Sequence, residues 1–279
     1  MAKRVIDQSI PFIKENQITA TWGTDGNDSN HYLMWSGGTD STLMLYELLD
    51  AYGADRVCAI SYRYPWLLEN KRNHEEIARE AIKAHLATFG PKFTGFKHTE
   101  IVVDQVTKSG GLLQTQQLGG LPQALAWMLS VPMYADQSSY IYDGGIKCDD
   151  LTLRLESYHQ LFRGIAGVMR KDLTLREPYL YYTKANVLAK LIEYGLYDIT
   201  WFCEMPGNDN KPCYHCTPCS THIAALVELS IADWPSELVK KKALHELNRI
   251  REIKEGKNNT ESTDISLTRK AEDKIDKIN

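Results

Sequence analysis

The feature that most restricts the fold of this chain is a glycine-rich turn between an apolar run and a helix-like segment. Residues 31–35, His-Tyr-Leu-Met-Trp, form the run, and residues 36–41, Ser-Gly-Gly-Thr-Asp-Ser, follow directly. Leucines then recur at near-helical spacing as far as Leu49. A buried strand, a glycine turn and a helix in this order direct backbone N–H groups and the positive helix end at one point. The sequence therefore predicts an anion-binding loop, with an ordinary tight turn as the alternative.

The 36–41 loop differs from the two best-known phosphate-binding patterns. A P-loop would end in Gly-Lys-Ser/Thr, and a dinucleotide fingerprint would show GxGxxG spacing; neither is present. Ser36 and Ser41 add hydroxyl donors to the backbone amides.

Strand-like and helix-like segments alternate along the chain. Further strands are predicted near residues 56–62, 100–103, 140–142 and 173–178. Helices are predicted at residues 74–89, 121–134 and 183–194, with a helical pair ending near residue 252. No element is assigned between residues 145 and 172. Alternation of this kind predicts an α/β fold in which helices flank a mainly parallel, Rossmann-like sheet.

Changes in composition divide the chain into four parts. Residues 1–30 are a lead-in, residues 31–195 an α/β domain, and residues 196–254 a cysteine-containing helical region. Residues 255–279 are charged and poor in apolar side chains. Disorder is predicted for this tail, with a docked terminal helix as the alternative.

Charge and hydropathy exclude several functional classes. The 32 Lys and Arg residues are outnumbered by 36 Asp and Glu residues, so the basic excess of a phosphate-backbone binder is missing and nucleic acid is disfavoured as a partner. The first residues contain no apolar signal region, and no window approaches the 18 apolar residues of a membrane span. A cytoplasmic protein without a membrane partner is the expectation.

Four of the six cysteines fall within 17 residues, at C-x9-C-x2-C-x2-C spacing: Cys203, Cys213, Cys216 and Cys219. Four thiolates so close together suit a closed tetrahedral zinc site that stabilises a loop with little core of its own. An iron–sulfur cluster is the alternative, although the ferredoxin pattern places its remaining cysteine downstream, followed by proline. His215 and His222 lie near enough to compete as ligands and are interpreted as surface or outer residues.

The 36–41 loop resembles the pyrophosphate loop of the N-type ATP pyrophosphatase (PP-loop) superfamily, whose members split ATP between its α and β phosphates to adenylate a substrate. The resemblance implies that the loop holds the leaving pyrophosphate and that Asp40 lies near its Mg²⁺. Residues 31–195 would then be the ATP-binding domain, with an adenine nucleotide alpha hydrolase-like fold.

The loop and the late cysteine cluster together resemble the 7-cyano-7-deazaguanine synthase (QueC) family of the queuosine pathway, over roughly residues 31–230. Pro178 and Lys184 match the family's Pro-Leu-x4-Lys, which implies that Lys184 faces the ATP phosphates. The catalytic residues that the resemblance implies are Ser36, Asp40, Ser41 and Lys184. Tyr62 matches a tyrosine that begins a family loop, and residues 199–203 parallel the family's Thr-Trp-Ser-Cys. The nucleotide-binding residues expected besides Lys184 and the two loop serines are Trp35, Gly37, Gly38, Thr39, Asp40, Tyr62 and Gly144.

The middle of the chain departs from the family pattern. Only residues 121–124 align with the family's Pro-Gly-Arg-Asn, and residues 151–162 show no counterpart of its Gly-Tyr-Pro-Asp-Cys-Arg. Those segments are associated with the deazaguanine, so the ATP half of the site carries over better than the substrate half. Asp143, Asp149 and Asp150 follow a predicted strand and are candidate metal or base contacts, with exposed loop acids as the alternative.

The resemblance implies a ligase that uses ATP, Mg²⁺ and a structural Zn²⁺. Its substrates would be 7-carboxy-7-deazaguanine and ammonia, giving an amide that a second ATP dehydrates to the nitrile. A related interpretation is a QueC-like antiviral defence enzyme that joins a deazaguanine to a partner protein's amine. A tRNA-modifying PP-loop enzyme with an iron–sulfur cluster and a non-catalytic nucleotide-binding subunit also stay open. A homodimer is one expected assembly.

Overall fold

The computed structural model describes residues 30–63, 69–102, 123–146, 155–207 and 211–254. Five strands in this part of the chain form one parallel sheet, in the order β3-β2-β1-β4-β5. The strands are β1 (Asn30–Met34), β2 (Val57–Arg63), β3 (Lys97–Val102), β4 (Ser138–Tyr142) and β5 (Asp172–Arg176). The predicted α/β fold with a parallel sheet is confirmed.

The central strand β1 is buried on both faces, as expected for a parallel sheet covered by helices. Tyr32 and Met34 point into one apolar cluster, whereas Leu33 and Trp35 point into the other. The strand order reverses beside β1, which pairs with β2 on one side and with β4 on the other. Open α/β sheets bind ligands at the carboxyl ends of the strands that flank such a reversal.

Seven α-helices are described: α1 (Thr39–Tyr52), α2 (Glu69–Leu86), α3 (Gln123–Tyr134), α4 (Leu155–Val168), α5 (Lys184–Glu193), α6 (Thr217–Glu228) and α7 (Glu237–Lys254). The first core cluster joins one sheet face to α1, α2, α5 and α6, and it includes Ala243 of α7. The second joins the other face to α3 and α4. The three helices that follow β5 along the chain, α5 to α7, therefore pack on the same sheet face as α1.

Two helical assignments from the sequence are wrong. Helix α2 begins at Glu69, five residues before the predicted start, because its first turns bury polar side chains and so show no apolar period. Helix α4 lies where the sequence analysis predicts neither a helix nor a strand. Tyr158, Leu161 and Phe162 nevertheless lie at helical spacing and pack in the second core cluster.

Several predictions concern residues outside the described ranges. These are the lead-in up to residue 29, the tail from residue 255, the aligned Pro122, and the candidate acids Asp149 and Asp150. Among the described residues, none of the helices combines the length and apolar character that crossing a membrane requires.

Candidate active site

The glycine loop turns the chain from the end of β1 into α1. Gly37 has φ of +86°, a conformation in the left-handed region that favours glycine, and Gly38 is the N-cap of α1. The Gly38 N–H donates to Ser36 Oγ at 3.1 Å, and Ser41 Oγ lies 3.2 Å from Ser36 Oγ. No side chain caps α1, so its first N–H groups and its positive end are directed at the loop. This arrangement suits an anion.

Gly37 also allows α2 to approach the loop closely. A Cβ atom on Gly37 would lie 2.9 Å from the Glu75 carbonyl oxygen and 3.0 Å from Arg79 Cγ. The Arg79 guanidinium donates through Nη1 to the Ser36 carbonyl oxygen at 3.1 Å. Helix α2 is therefore in direct contact with the back of the glycine loop.

Lys184 reaches the loop from the first position of α5. Its Nζ donates to Asp40 Oδ2 at 2.6 Å and to Thr39 Oγ1 at 2.7 Å. The start of α5 is fixed by a capping box, in which Thr183 and Asn186 each bond the other's backbone N–H through the side chain. This N-cap thus places the ammonium group beside the loop.

The loop and Lys184 border a cavity of about 150 Å³. Sites for drug-sized ligands measure about 300–1,000 Å³, so this cavity suits the phosphate end of a nucleotide rather than the whole molecule. Its lining residues are Ser36, Gly38, Thr39, Asp40, Lys71, Glu75, Lys184, Trp201, Phe202, Cys203, Glu204 and Pro218. Five of the predicted loop and lysine positions are among them, together with one predicted metal ligand.

Other predicted nucleotide contacts lie away from this cavity. Trp35 is buried beneath the loop and donates through Nε1 to Thr42 Oγ1 at 3.3 Å. Tyr62 belongs to the second core cluster, where its hydroxyl bonds Ser130. Gly144 packs behind the loop, with its Cβ position 3.5 Å from the Ser41 backbone nitrogen.

Of the three candidate acids, Asp143 lies within the described residues. It is only 3% exposed and follows β4, where its backbone N–H donates to the Arg176 carbonyl oxygen at 3.0 Å. It is therefore a buried acid at the carboxyl edge of the sheet, and the exposed-loop alternative is wrong for this residue.

Sequence reasoning missed two charged residues of α2 that line the cavity. Lys71 and Glu75 form an ion pair with Nζ and Oε1 3.6 Å apart. Burial raises the pKa of the Glu75 carboxyl, while Lys71 and Arg79 act in the opposite direction. The signal available in the sequence was the spacing of a lysine, a glutamate and an arginine at four-residue intervals, which places them on one helix face.

The four clustered cysteines come together in space. One sulfur atom from each of Cys203, Cys213, Cys216 and Cys219 lies within 4.8 Å of all the others. The Cys213 and Cys219 sulfurs are 3.8 Å apart, and backbone N–H groups of Cys213 and Cys216 point at cluster sulfurs. The donor set could hold a metal ion. No other such group of His, Cys, Asp and Glu side chains occurs among the described residues.

Neither nearby histidine belongs to this group. His215 is exposed, whereas His222 is buried, stacks on Phe202 at 3.6 Å and bonds the Tyr197 hydroxyl at 3.1 Å. Burial lowers the pKa of His222 to about 3, and the positive charge of Lys184 acts in the same direction. His222 is therefore a neutral packing residue beside Phe202, which lines the cavity.

Trp201 connects the cysteine region to the glycine loop. Its backbone N–H donates to the Gly37 carbonyl oxygen at 3.2 Å, next to a parallel bridge with Gly38. Its indole Nε1 donates to the Cys203 carbonyl oxygen at 2.7 Å, and its ring stacks on His74 of α2 at 3.9 Å. One residue thus contacts the loop, the α2 wall and the first cysteine.

Comparisons with known proteins give a remote likeness. No protein-family profile matches the sequence, and no curated protein is similar enough in sequence to match. Among solved structures, NMN synthetase from Francisella tularensis matches with a TM-score of 0.43 and 12% identity, over 85% of this chain and 90% of its own.

Two further solved structures match at similar levels. Glutamine-dependent NAD⁺ synthetase from Acinetobacter baumannii, in complex with ADP, gives a TM-score of 0.36 and 15% identity over 84% of this chain and 43% of its own. The U34-tRNA thiolase NcsA from Methanococcus maripaludis, with its [4Fe-4S] cluster, gives a TM-score of 0.38 and 14% identity. That match covers 80% of this chain and 78% of the thiolase. A likeness this remote assigns neither a ligand nor a reaction to the present chain.

Proposed function

We propose that this chain is an ATP-dependent ligase of the PP-loop type, which activates a carboxylic acid by adenylation and transfers it to an amine. The observation that carries the proposal is the contact of Lys184 with Asp40 and Thr39 at the uncapped start of α1. A cation, helix N–H groups and the Ser36 hydroxyl converge there on a cavity that suits a pyrophosphate group.

In the proposed reaction, a carboxylate oxygen of the acid attacks the α phosphorus of ATP. The bond from that phosphorus to the bridging oxygen of the β phosphate breaks, and pyrophosphate leaves with the electron pair. The N–H groups of the loop and the Lys184 ammonium stabilise the charge that develops on the leaving group. An amine then attacks the acyl carbon, AMP departs, and the amine gives up a proton.

Asp40 fits the Mg²⁺ that accompanies ATP. Its Oδ2 accepts from Lys184, whereas its Oδ1 is buried and has no hydrogen-bond partner among the described residues. A buried carboxylate oxygen without a donor suits a hard cation. Mg²⁺ at this position would supply charge neutralisation for the phosphate oxygens.

For the substrate, we propose a 7-deazaguanine carboxylate, on the strength of the motif likeness between residues 31–230 and the QueC family. The product would be the amide and then 7-cyano-7-deazaguanine. The residues that would read the deazaguanine include segments outside the described ranges, so the acid is identified by assay rather than by geometry. A cytoplasmic setting accords with free ATP and ammonia as reactants.

For the cysteine cluster, we propose Zn²⁺. A tetrahedral ion with metal–sulfur bonds of about 2.3 Å holds its sulfur ligands about 3.8 Å apart, and the Cys213 and Cys219 sulfurs have this separation. A [4Fe–4S] cluster binds each thiolate through a different iron and would spread the sulfurs farther. When bound, zinc would supply structural cross-linking of the loop that carries Trp201 and Cys203.

The proposal is tested by incubating the purified chain with MgATP and 7-carboxy-7-deazaguanine, with and without ammonia. Pyrophosphate release is followed continuously, and the products are identified by mass spectrometry. We expect acid-dependent pyrophosphate and AMP, with amide and nitrile only when ammonia is present. Adenylation without either product would support a protein amine as acceptor, and absence of acid-dependent pyrophosphate would contradict the proposed substrate.

A matched pair of variants ties the activity to the loop. Asp40→Asn should abolish pyrophosphate release, whereas Asp50→Asn, on the exposed end of α1, should leave it unchanged. Retained turnover in Asp40→Asn would contradict the assignment of the loop. Metal analysis of the same preparations should give one zinc per chain, and iron with inorganic sulfide would favour the tRNA-modifying alternative.

A further inference from the structure

One wall of the cavity comes from α2, which has no role in the reaction described above. The turn at Glu75 and Arg79 packs against Gly37 with atoms about 3 Å from its Cβ position. Arg79 also donates to the Ser36 carbonyl oxygen. Since Lys71 and Glu75 precede Arg79 at four-residue intervals, they lie on the helix face that meets the loop, and both line the cavity.

The Lys71–Glu75 ion pair is buried but loosely made. The two residues are 7% and 8% exposed, and their Nζ and Oε1 atoms are 3.6 Å apart. Charge-assisted hydrogen bonds between such groups measure about 2.7–2.9 Å. A buried charge pair with poor geometry recovers little of its desolvation cost, so this pair contributes little to folding as it stands.

Glu75 has a second cation at hand. Arg79, one turn further along α2, lies with its Nη2 3.8 Å from Glu100 Oε1. Its charge also acts with that of Lys71 to offset the effect of burial on the pKa of the Glu75 carboxyl. The carboxylate therefore keeps a positive neighbour when Lys71 turns towards another partner. Lys71 is thus able to exchange Glu75 for an anion in the cavity without leaving a buried carboxylate isolated.

The cavity needs such a cation if it holds phosphate groups. Its lining residues with carboxylate or ammonium groups are Asp40, Lys71, Glu75, Lys184 and Glu204, which are three acids and two bases. Lys184 is already bonded to Asp40 at 2.6 Å. The charge of Lys184 is therefore already balanced by Asp40 when a pyrophosphate group binds. Lys71 is the other lysine that lines the cavity, so it can supply the further positive charge.

We infer that Lys71 is a second phosphate-binding cation of this cavity, held by Glu75 until an anionic ligand replaces that carboxylate. The inference rests on the proposed function and adds the residue that balances the charge of the bound phosphates. In the bound state Lys71 Nζ donates to a phosphate oxygen, and the charge of Arg79 still offsets that of Glu75. Glu75 thereby lowers the affinity for anions in the empty site, because its charge competes for the same ammonium group.

The experiment measures binding of inorganic pyrophosphate, with Mg²⁺, to the full chain by isothermal titration calorimetry. The variants are Glu75→Gln and the double variant Lys71→Met with Glu75→Gln, because removing Lys71 alone would strand a buried carboxylate. Glu75→Gln should bind pyrophosphate more tightly than the wild type. The double variant should bind about tenfold more weakly than Glu75→Gln, the order expected for the loss of one charge-assisted hydrogen bond.

Two controls separate this effect from a general change of charge. The pair Lys83 and Glu80 lies on the same helix, outside the cavity, and its Nζ and Oε1 atoms are 2.7 Å apart. Lys83→Met with Glu80→Gln should leave pyrophosphate affinity unchanged, and Lys71→Arg should retain most of it. Equal affinities of Glu75→Gln and the double variant would overturn the role of Lys71 while leaving the proposed function intact. No binding by the wild type would overturn both.

Discussion

Gly37 shows how one residue sets the distance between two elements of the site. Its positive φ disfavours any side chain, and its missing Cβ lets the Glu75 carbonyl and Arg79 approach. We expect Gly37→Ala to lower the free energy of unfolding by about 3 kcal/mol, since backbone strain and a steric clash add together. Pyrophosphate affinity should fall as well, because the loop cannot keep its present path.

Gly95 provides the matched control for this substitution. It also has a positive φ, of +77°, but nothing lies within 4 Å of its Cβ position. Gly95→Ala should therefore cost only the strain, about 1 kcal/mol, with unchanged ligand affinity. Urea unfolding and calorimetry of both variants provide the measurement, and equal losses of stability would refute the steric part of the argument.

At the scale of elements, the start of α5 determines where Lys184 lies. Thr183 Oγ1 accepts the Asn186 N–H at 3.2 Å, and Asn186 Oδ1 accepts the Thr183 N–H at 2.8 Å. Thr183→Ala removes the cap and should lower the free energy of unfolding by about 1 kcal/mol. It should also weaken pyrophosphate binding, because Lys184 is the first residue of the helix whose end then frays.

Thr183→Ser is the control for the cap, since serine keeps the hydroxyl acceptor. It should match the wild type in both urea unfolding and pyrophosphate affinity. If Thr183→Ala bound pyrophosphate as tightly as Thr183→Ser, the cap would not be what positions the lysine.

Like the start of α5, the cysteine cluster helps to position residues of the cavity, since Trp201 and Cys203 line it. Cys216→Ser removes one thiolate but keeps a good N-cap residue for α6, so the expected loss comes from the metal site and not from the helix. Metal content, stability and pyrophosphate affinity should fall together, with at least about 2 kcal/mol lost in unfolding. Elemental analysis and thermal unfolding measure the first two.

Cys58→Ser is the comparison for that prediction. Cys58 is buried on β2 and belongs to the second core cluster, away from the four clustered thiols. This variant should lose some stability through its buried hydroxyl but keep its metal. A Cys216→Ser variant with full metal content would contradict the prediction.

The sequence predicts those parts of the site that have local signals. The apolar run, the glycine turn and the helix that follows mark the loop, and the Thr183 cap marks the start of α5. The α2 wall has a weaker signal, the four-residue spacing of Lys71, Glu75 and Arg79, because these charged residues interrupt the apolar pattern that would identify a helix. The approach of Trp201 to Gly37 depends on packing between distant segments, which no local pattern encodes.

At the scale of the whole molecule, the site is formed where one sheet edge meets three separate parts of the chain. The loop after β1, the α2 wall, residues 201–204 and Pro218 all line one cavity, and Lys184 enters from α5. Both apolar clusters run beneath this edge, since Trp35 belongs to one and Met34 to the other. Stability of the molecule and integrity of the cavity are therefore linked.

His98 on β3 makes this linked stability sensitive to pH. Its Nε2 lies 2.9 Å from Ser61 Oγ, and Ser61 donates its own proton to the Trp35 carbonyl oxygen. His98 must therefore be the donor in this pair and carries a proton on Nε2. Burial lowers the pKa of His98 to about 4, and the charges of Lys83 and Arg79 act in the same direction.

The sign of the pH effect follows from these values. The unfolded chain binds a proton at this histidine near pH 6.5, whereas the folded chain does so only near pH 4. The stability that neutral His98 contributes is present above pH 6.5 and is lost as the pH falls to about 4.

His98→Gln keeps a donor for Ser61 but cannot be protonated, so the free energy of unfolding of this variant should fall less steeply between about pH 6.5 and pH 4. The pKa of His222 is lowered to about 3, so this histidine also costs stability at low pH. Its contribution is the same in the wild type and in His98→Gln and cancels when the two are compared. Urea unfolding from pH 7.5 to 4 measures the two curves, and parallel curves would show that His98 is protonated as easily in the folded chain as in the unfolded one.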